Sequence, residues 1–117
     1  MQDFHTLQIW QKSHELTLHV YAVTRQNFPK DEMFALTSQI RRASSSIACN
    51  IAEGSGRKTN ADFSHFLQMA IGSSSEVEYQ ILLAKDFGYI SEELCNSLTH
   101  EVVSVRKMIV NFQKKLS

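Results

Sequence analysis

The segment from Gln39 to Lys58, QIRRASSSIACNIAEGSGRK, constrains the fold more than any other part of the chain. Around it, Leu36, Ile40, Ala43, Ile47 and Ile51 recur three or four residues apart, the apolar stripe of an amphipathic helix. A second, polar stripe of Gln39, Arg42, Ser46, Asn50 and Glu53 runs along its shoulder. The pattern then stops at Gly54-Ser-Gly-Arg-Lys58, a glycine-rich basic turn. A helix with one apolar stripe must bury it against another element.

The rest of the chain offers only helices as partners. One proline and four glycines in 117 residues allow few turns, hence long elements. Periodicity predicts four helices. The first spans about residues 7–26, with Thr6 as its cap, and ends before Phe28-Pro29, where proline forbids continuation. The second spans about residues 31–53 and ends at Gly54. The third starts at Thr59-Asn-Ala-Asp62, which fits a capping box, and stops at Gly88. The fourth starts at Ser91, with Glu92 and Glu93 in its first turn, and ends in Lys114-Lys115, which suits the helix dipole. No segment alternates with period two. The expected fold is all-α: one domain over residues 1–117, an up-down-up-down four-helix bundle.

The first helix carries two apolar faces. Leu7, Trp10, His14, Leu18 and Tyr21 make one, and Ile9, Leu16, Val20 and Val23 make another almost opposite. The third helix repeats the theme, with Met69, Gly72, Leu83 and Phe87 opposite its main stripe. Scattered exposed apolar residues are common and would account for this. The sharper reading is a subunit interface, with Ile9, Leu16, Val20 and Val23 as its candidates.

Charge excludes some roles. The net charge is zero, which argues against a protein that coats nucleic acid nonspecifically. The layout is segregated, however. Between Asp62 and Glu101 seven acids face Lys85 alone, whereas Arg106, Lys107, Lys114 and Lys115 form an acid-free tail. No run approaches a membrane span, no signal-peptide pattern opens the chain, and Cys49 and Cys95 read as reduced thiols packed as small apolar groups. These features predict a cytoplasmic protein.

The polar stripe has two readings. One is a solvated face. The other is a half-buried, hydrogen-bonded network of Gln39, Arg42, Asn50 and Glu53, with Glu78 of the third helix meeting Arg42. Gly54-Ser-Gly-Arg-Lys-Thr59 fails as a nucleotide-binding loop, because Arg57 separates Gly56 from Lys58 and a helix leads in rather than a strand. Two glycines and two bases before a helix can still hold one phosphate, although a solvated turn explains them too. The five histidines show no metal-ligand spacing, and His14, on an apolar stripe, reads as a satisfied interior histidine. No nucleophile–base order is legible. The expectation is a protein with no catalytic residue, no metal and no cofactor.

Read together, several motifs are specific. They include Leu7-x-x-Trp10 with Tyr21, Phe28-Pro29, Gln39-x-Arg-Arg-Ala43, Asn50-Ile-Ala-Glu-Gly-Ser-Gly-Arg57, Phe66-Leu67, Gly72-Ser73, Glu76-x-Glu78 and Gly88-Tyr-Ile90. In this order the chain resembles, over nearly its whole length, the bundle proteins encoded in intervening sequences of bacterial 23S ribosomal RNA genes. The resemblance implies a non-enzymatic bundle assembling into a homopentameric ring. A related branch, the accessory variability determinant of diversity-generating retroelements, binds nucleic acid and a reverse transcriptase through a basic surface. This chain departs from that branch in its neutral charge and acidic third helix. By position, the resemblance makes Arg41, Arg42, Arg57 and Lys58 the candidates for contact with ribosomal RNA or another nucleic acid. It makes Gln39, Asn50, Glu53 and Glu78 the structural network. The alternative is a scaffold that docks a protein partner.

Overall fold

A computed structural model of the chain describes residues 2–117. Its four helices are α1 (Gln8–Asn27), α2 (Leu36–Ser55), α3 (Asn60–Asp86) and α4 (Glu92–Lys114), and no strand occurs among the described residues. Each helix packs on the next, and α4 closes back on α1. The result is a bundle of 43 × 24 × 20 Å. At 1.5 Å per residue α3, the longest helix, spans about 40 Å, nearly the full length of the molecule.

The caps explain the boundaries. Thr59 Oγ1 accepts from the Asp62 N–H at 3.1 Å, and Ser91 Oγ accepts from the Leu94 N–H at 3.0 Å, as the sequence predicts. Gly88, at φ +83°, closes α3 in the left-handed conformation that other residues avoid. There the Gly88 N–H bonds to the Lys85 carbonyl and the Tyr89 N–H to the Ala84 carbonyl, the Schellman pattern.

Three expectations need correction. Thr6 does not cap α1: its hydroxyl donates to the Asp3 carbonyl, and Leu7 stands at the cap with no side-chain bond. Helix α2 begins at Leu36, because Lys30–Glu32 forms a separate 3-10 turn. Glu32, which falls inside the expected helix, instead precedes it and accepts from the Leu36 N–H at 3.2 Å. Gly54 is not the stop of α2 but lies inside it, one residue before its end. A Cβ there would sit 2.8 Å from Phe63 Cδ1 and Phe66 Cβ. The missing side chain lets α3 press against α2.

The core is continuous along the bundle axis. Leu16 and Val20 of α1, Ile47 and Ile51 of α2, Leu67, Val77 and Ile81 of α3, and Val102 and Ile109 of α4 are all but inaccessible. This corrects the proposed subunit interface. Ile9, Leu16 and Val20 are buried within the chain's own core, and Val23 packs against it. The inner face of α1 also includes Ser13 and Thr24, whose hydroxyls bond to the carbonyls of Ile9 and Tyr21. Such local bonds let small hydroxyl residues enter a core. The other face is outward only in part: Leu7 is buried, Trp10 and Tyr21 are half-buried, and Leu18 is 54% exposed.

At the end bearing the α1–α2 and α3–α4 turns, the Tyr89 hydroxyl donates to the Glu32 carboxylate. The rings of Phe28 and Phe87 each lie 5.5 Å from that of Tyr89. This bond, with the Leu36 N–H, holds the Glu32 carboxyl below its ordinary range. The same bond pushes the Tyr89 hydroxyl up to about 12.

Two predictions follow from this packing. Gly54→Ala should lower stability by about 1–3 kcal/mol in a urea titration, because the overpacked methyl outweighs the gain in helix propensity. The Tyr89–Glu32 bond contributes stability above the ordinary glutamate range and below the ordinary tyrosine range. It is lost as pH falls through the lowered Glu32 value, and again as pH rises through about 12. Thermal melts across pH should therefore show Tyr89→Phe weaker than wild type near neutrality, with the gap closing at both extremes.

Candidate nucleic-acid interface

The up-down path gathers the N-terminal segment, the α2–α3 turn and the end of α4 at one end of the bundle. The Gln2 N–H bonds to the Ser55 carbonyl at 2.8 Å. Asn60 Nδ2 donates to the Leu116 carbonyl at 3.4 Å, and the rings of Phe63 and Phe112 lie 5.5 Å apart. These contacts put Lys114 and Lys115 beside the turn carrying Arg57 and Lys58. All four bases are exposed.

The four differ in their freedom. Arg57 Nη2 donates to Glu53 Oε1 at 3.0 Å, while its guanidinium carbon lies 4.6 Å over the Phe66 ring. It is a held cation, stacked on one side and open on the other. Lys58, Lys114 and Lys115 enter no ion pair among the described residues. At the same end, Asp3 pairs with the His5 ring at 2.7 Å, a bond that holds its carboxyl below the usual range.

Two of the four candidate bases lie elsewhere. Arg41 turns toward α1, where its Nε donates to Thr24 Oγ1 at 2.9 Å and its guanidinium covers the Tyr21 ring. Arg42 is exposed, but more than three turns up α2, roughly 20 Å from the end. Arg41 therefore serves helix packing, and the structure does not join it to Arg57 and Lys58.

The polar stripe breaks into separate local pairs, which corrects the single network read from the sequence. Asn50 Nδ2 donates to the Ser46 carbonyl at 2.9 Å and lies 3.1 Å from Ser46 Oγ. Ser46 in turn meets Ser73 of α3 at 3.0 Å. Glu53 serves Arg57, and Gln39 is exposed with no side-chain bond among the described residues. Glu78 pairs not with Arg42 but with Arg106 of α4, at 2.8 Å. Wheel geometry places Glu78 at the edge of a stripe but does not say which neighbouring helix lies beyond that edge.

Beside the basic end lies an aromatic feature that sequence reasoning did not assemble. His14 is exposed rather than interior, and its ring stacks on Trp10 at 5.0 Å, 6° from parallel. Phe4 meets the Trp10 edge at 4.9 Å. These rings wall an open groove between α1 and α2, with Ala48 and Cys49 on its floor. Cys49 is an exposed thiol, against expectation, whereas Cys95 is buried as expected. The signal available in the sequence was the Trp10-x-x-x-His14 spacing, one helical turn.

The ion pairs predict opposite outcomes for two substitutions. Arg42→Leu should leave the melting temperature unchanged, since Arg42 has no partner to lose. Glu78→Ala should lower stability by about 1 kcal/mol, because it strands the half-buried Arg106. Differential scanning calorimetry of both variants checks this.

Known proteins agree with the architecture. A solved structure to which the chain is similar is a protein of unknown function from the S23 ribosomal protein family of Bacteroides thetaiotaomicron VPI-5482. The two are 25% identical, with a TM-score of 0.83 over 91% of this chain and 95% of that one. No curated protein matches the chain in sequence. The model of the family described as 23S rRNA-intervening sequence protein matches residues 5–111, nearly the whole of the bundle. The chain belongs to the 23S rRNA-intervening sequence protein family.

Proposed function

We propose that this protein is a non-enzymatic, cytoplasmic bundle that assembles with itself into a pentameric ring and binds nucleic acid, ribosomal RNA foremost, through its basic end. The observation that carries the reading is the convergence of Lys58, Lys114 and Lys115, none of them ion-paired among the described residues, with the stacked Arg57. The acids at that end are Asp3, which bonds the His5 ring, Glu53, which offsets Arg57, and Asp62, so the unpaired charge is that of the three lysines. Each copy offers only a few phosphate contacts, and a ring repeats them. Repetition on one rigid body raises avidity without any new contact.

The outer surface of α3 supports self-assembly. Met69, Tyr79, Leu82 and Phe87 are 39–57% exposed there, and a Cβ added to Gly72 meets nothing within 4 Å. A glycine in a helix interior costs about 1 kcal/mol relative to alanine, and an open position for it suits the close approach of a second helix. This face replaces the buried Ile9, Leu16, Val20 and Val23 as the candidate for subunit contact.

A second reading, a protein-interaction scaffold, draws support from the opposite end. Phe34 is 97% exposed there, near the exposed Met33 and among the acids of both turns. An apolar, acidic end of this kind suits a protein partner better than a phosphate backbone.

The deciding experiment titrates the purified assembly with ribosomal RNA fragments across a salt series, with light scattering on the same samples. Binding should weaken linearly in log–log form as salt rises. Lys58→Glu combined with Lys114→Glu and Lys115→Glu should abolish it while leaving the assembled mass unchanged. Binding that survives this triple reversal would move the contact away from the basic end. No binding at low salt would leave the scaffold reading in front.

A further inference from the structure

The groove between α1 and α2 has a wall of rings and a floor of small side chains. Phe4, Trp10 and His14 form the wall, and Ser45, Ala48 and Cys49 form the floor. The Trp10 and His14 rings are 6° from parallel at 5.0 Å, and His14 is exposed, so the stack presents an open aromatic face. Planar rings over a small-residue floor suit another planar ring. The surrounding charge narrows the choice of ligand. Arg42 lies on the same stripe of α2 as Ser45 and Cys49, at spacings of three and seven residues, and enters no ion pair among the described residues. Arg57 and Lys58 follow α2 past the Ala52 end of the groove, where Arg57 covers the Phe66 ring of α3. The carboxylates beside it are Glu53, bonded to Arg57 at 3.0 Å, and Asp3, bonded to His5 at 2.7 Å. Glu15 of α1 lines a different groove, against α4. The slot thus lies between Arg42 and Lys58, which enter no ion pair among the described residues, while Glu53 and Arg57 offset each other.

We infer that this groove takes an unpaired nucleobase, and that the chain's nucleic-acid ligand is single-stranded, its backbone passing from Lys58 and Arg57 at the basic end toward Arg42. The inference rests on the nucleic-acid reading above and specifies its ligand. In a duplex the base faces are hidden, and only a splayed-out base can stack on a side chain. Stacking tolerates any base, so the slot confers a preference for single strands rather than for a sequence. The roughly 20 Å along α2 between Arg42 and Arg57 spans the stacked nucleotide and its immediate neighbours.

The protein carries two reporters in this groove. Trp10 is its single tryptophan. Cys49 is exposed whereas Cys95 is buried. A fluorescein-labelled single-stranded RNA homopolymer should therefore quench Trp10 emission and protect Cys49 from maleimide. A duplex of the same length, and inorganic polyphosphate, should do neither. By anisotropy, His14→Ala and Cys49→Glu, both at exposed positions, should each weaken single-strand binding about tenfold. Trp10→Phe should retain most of the affinity. Polyphosphate and duplex should be indifferent to His14→Ala.

Equal binding of all three probes without quenching would overturn the slot and leave the basic-end reading intact. Binding of none of them would overturn both. Loss of the assembled mass in His14→Ala would show that a second copy of the chain fills the groove, which also overturns the inference.

Discussion

The contact of α2 with α3 at Gly54 sets the geometry on which the rest of the molecule depends. Without a side chain at that position Phe63 and Phe66 can lie against the α2 backbone. Phe63 then reaches Phe112 of α4, which brings the α4 end beside the α2–α3 turn. Phe66 presents its ring to Arg57. One close backbone approach therefore positions both the final turn of α4 and the cations of the basic end. The α1–α2 and α3–α4 turns are held separately, by the Tyr89–Glu32 bond and the rings around it.

Polar side chains divide between packing and display. Ser13, Thr24, Ser44 and Ser74 are buried, and each bonds a carbonyl of its own helix, so they enter the core without leaving a donor unpaired. Arg41 joins them by bonding Thr24 across helices. Apart from the half-buried Arg106 and Lys85, the remaining bases stay at the surface, where their distribution is uneven along the bundle axis. The end with Arg57, Lys58, Lys114 and Lys115 also holds Asp3, Glu53 and Asp62, and the opposite end sets Lys30 and Lys85 against Asp31, Glu32, Asp86, Glu92 and Glu93. A neutral chain thus carries an excess of acids at one end and a slight excess of bases at the other, a layout that antiparallel helices create.

Much of the fold was legible because helix boundaries are chemically local. Thr59, Ser91 and Gly88 act on backbone groups a few residues away, and the structure finds each in its expected role. Failures came where a residue acts outside its segment. Glu32 falls within the expected second helix but lies before it, bonded to the Leu36 N–H and to a distant tyrosine. Of the candidate site, Arg57 and Lys58 were legible as turn cations. Lys114 and Lys115 were legible as a basic tail, but their place beside that turn was not. The aromatic slot was illegible as a unit, since its wall comes from the N-terminal turn and α1, and its floor from α2.

The sequence by itself determined four helices, the caps at Thr59, Ser91 and Gly88 and the apolar stripes, because periodicity and capping depend on neighbours within a few residues. The tertiary structure alone decided which face of α1 is inside, which arginine pairs with Glu78 and which bases share an end. An apolar stripe on a wheel has a direction but no address. Only the packed neighbours assign one, by burying Leu16 and Val20 and leaving Leu18 and His14 in solvent. The same holds for charge. Glu78 can reach a base on either flanking helix, and the bundle's geometry places Arg106 there.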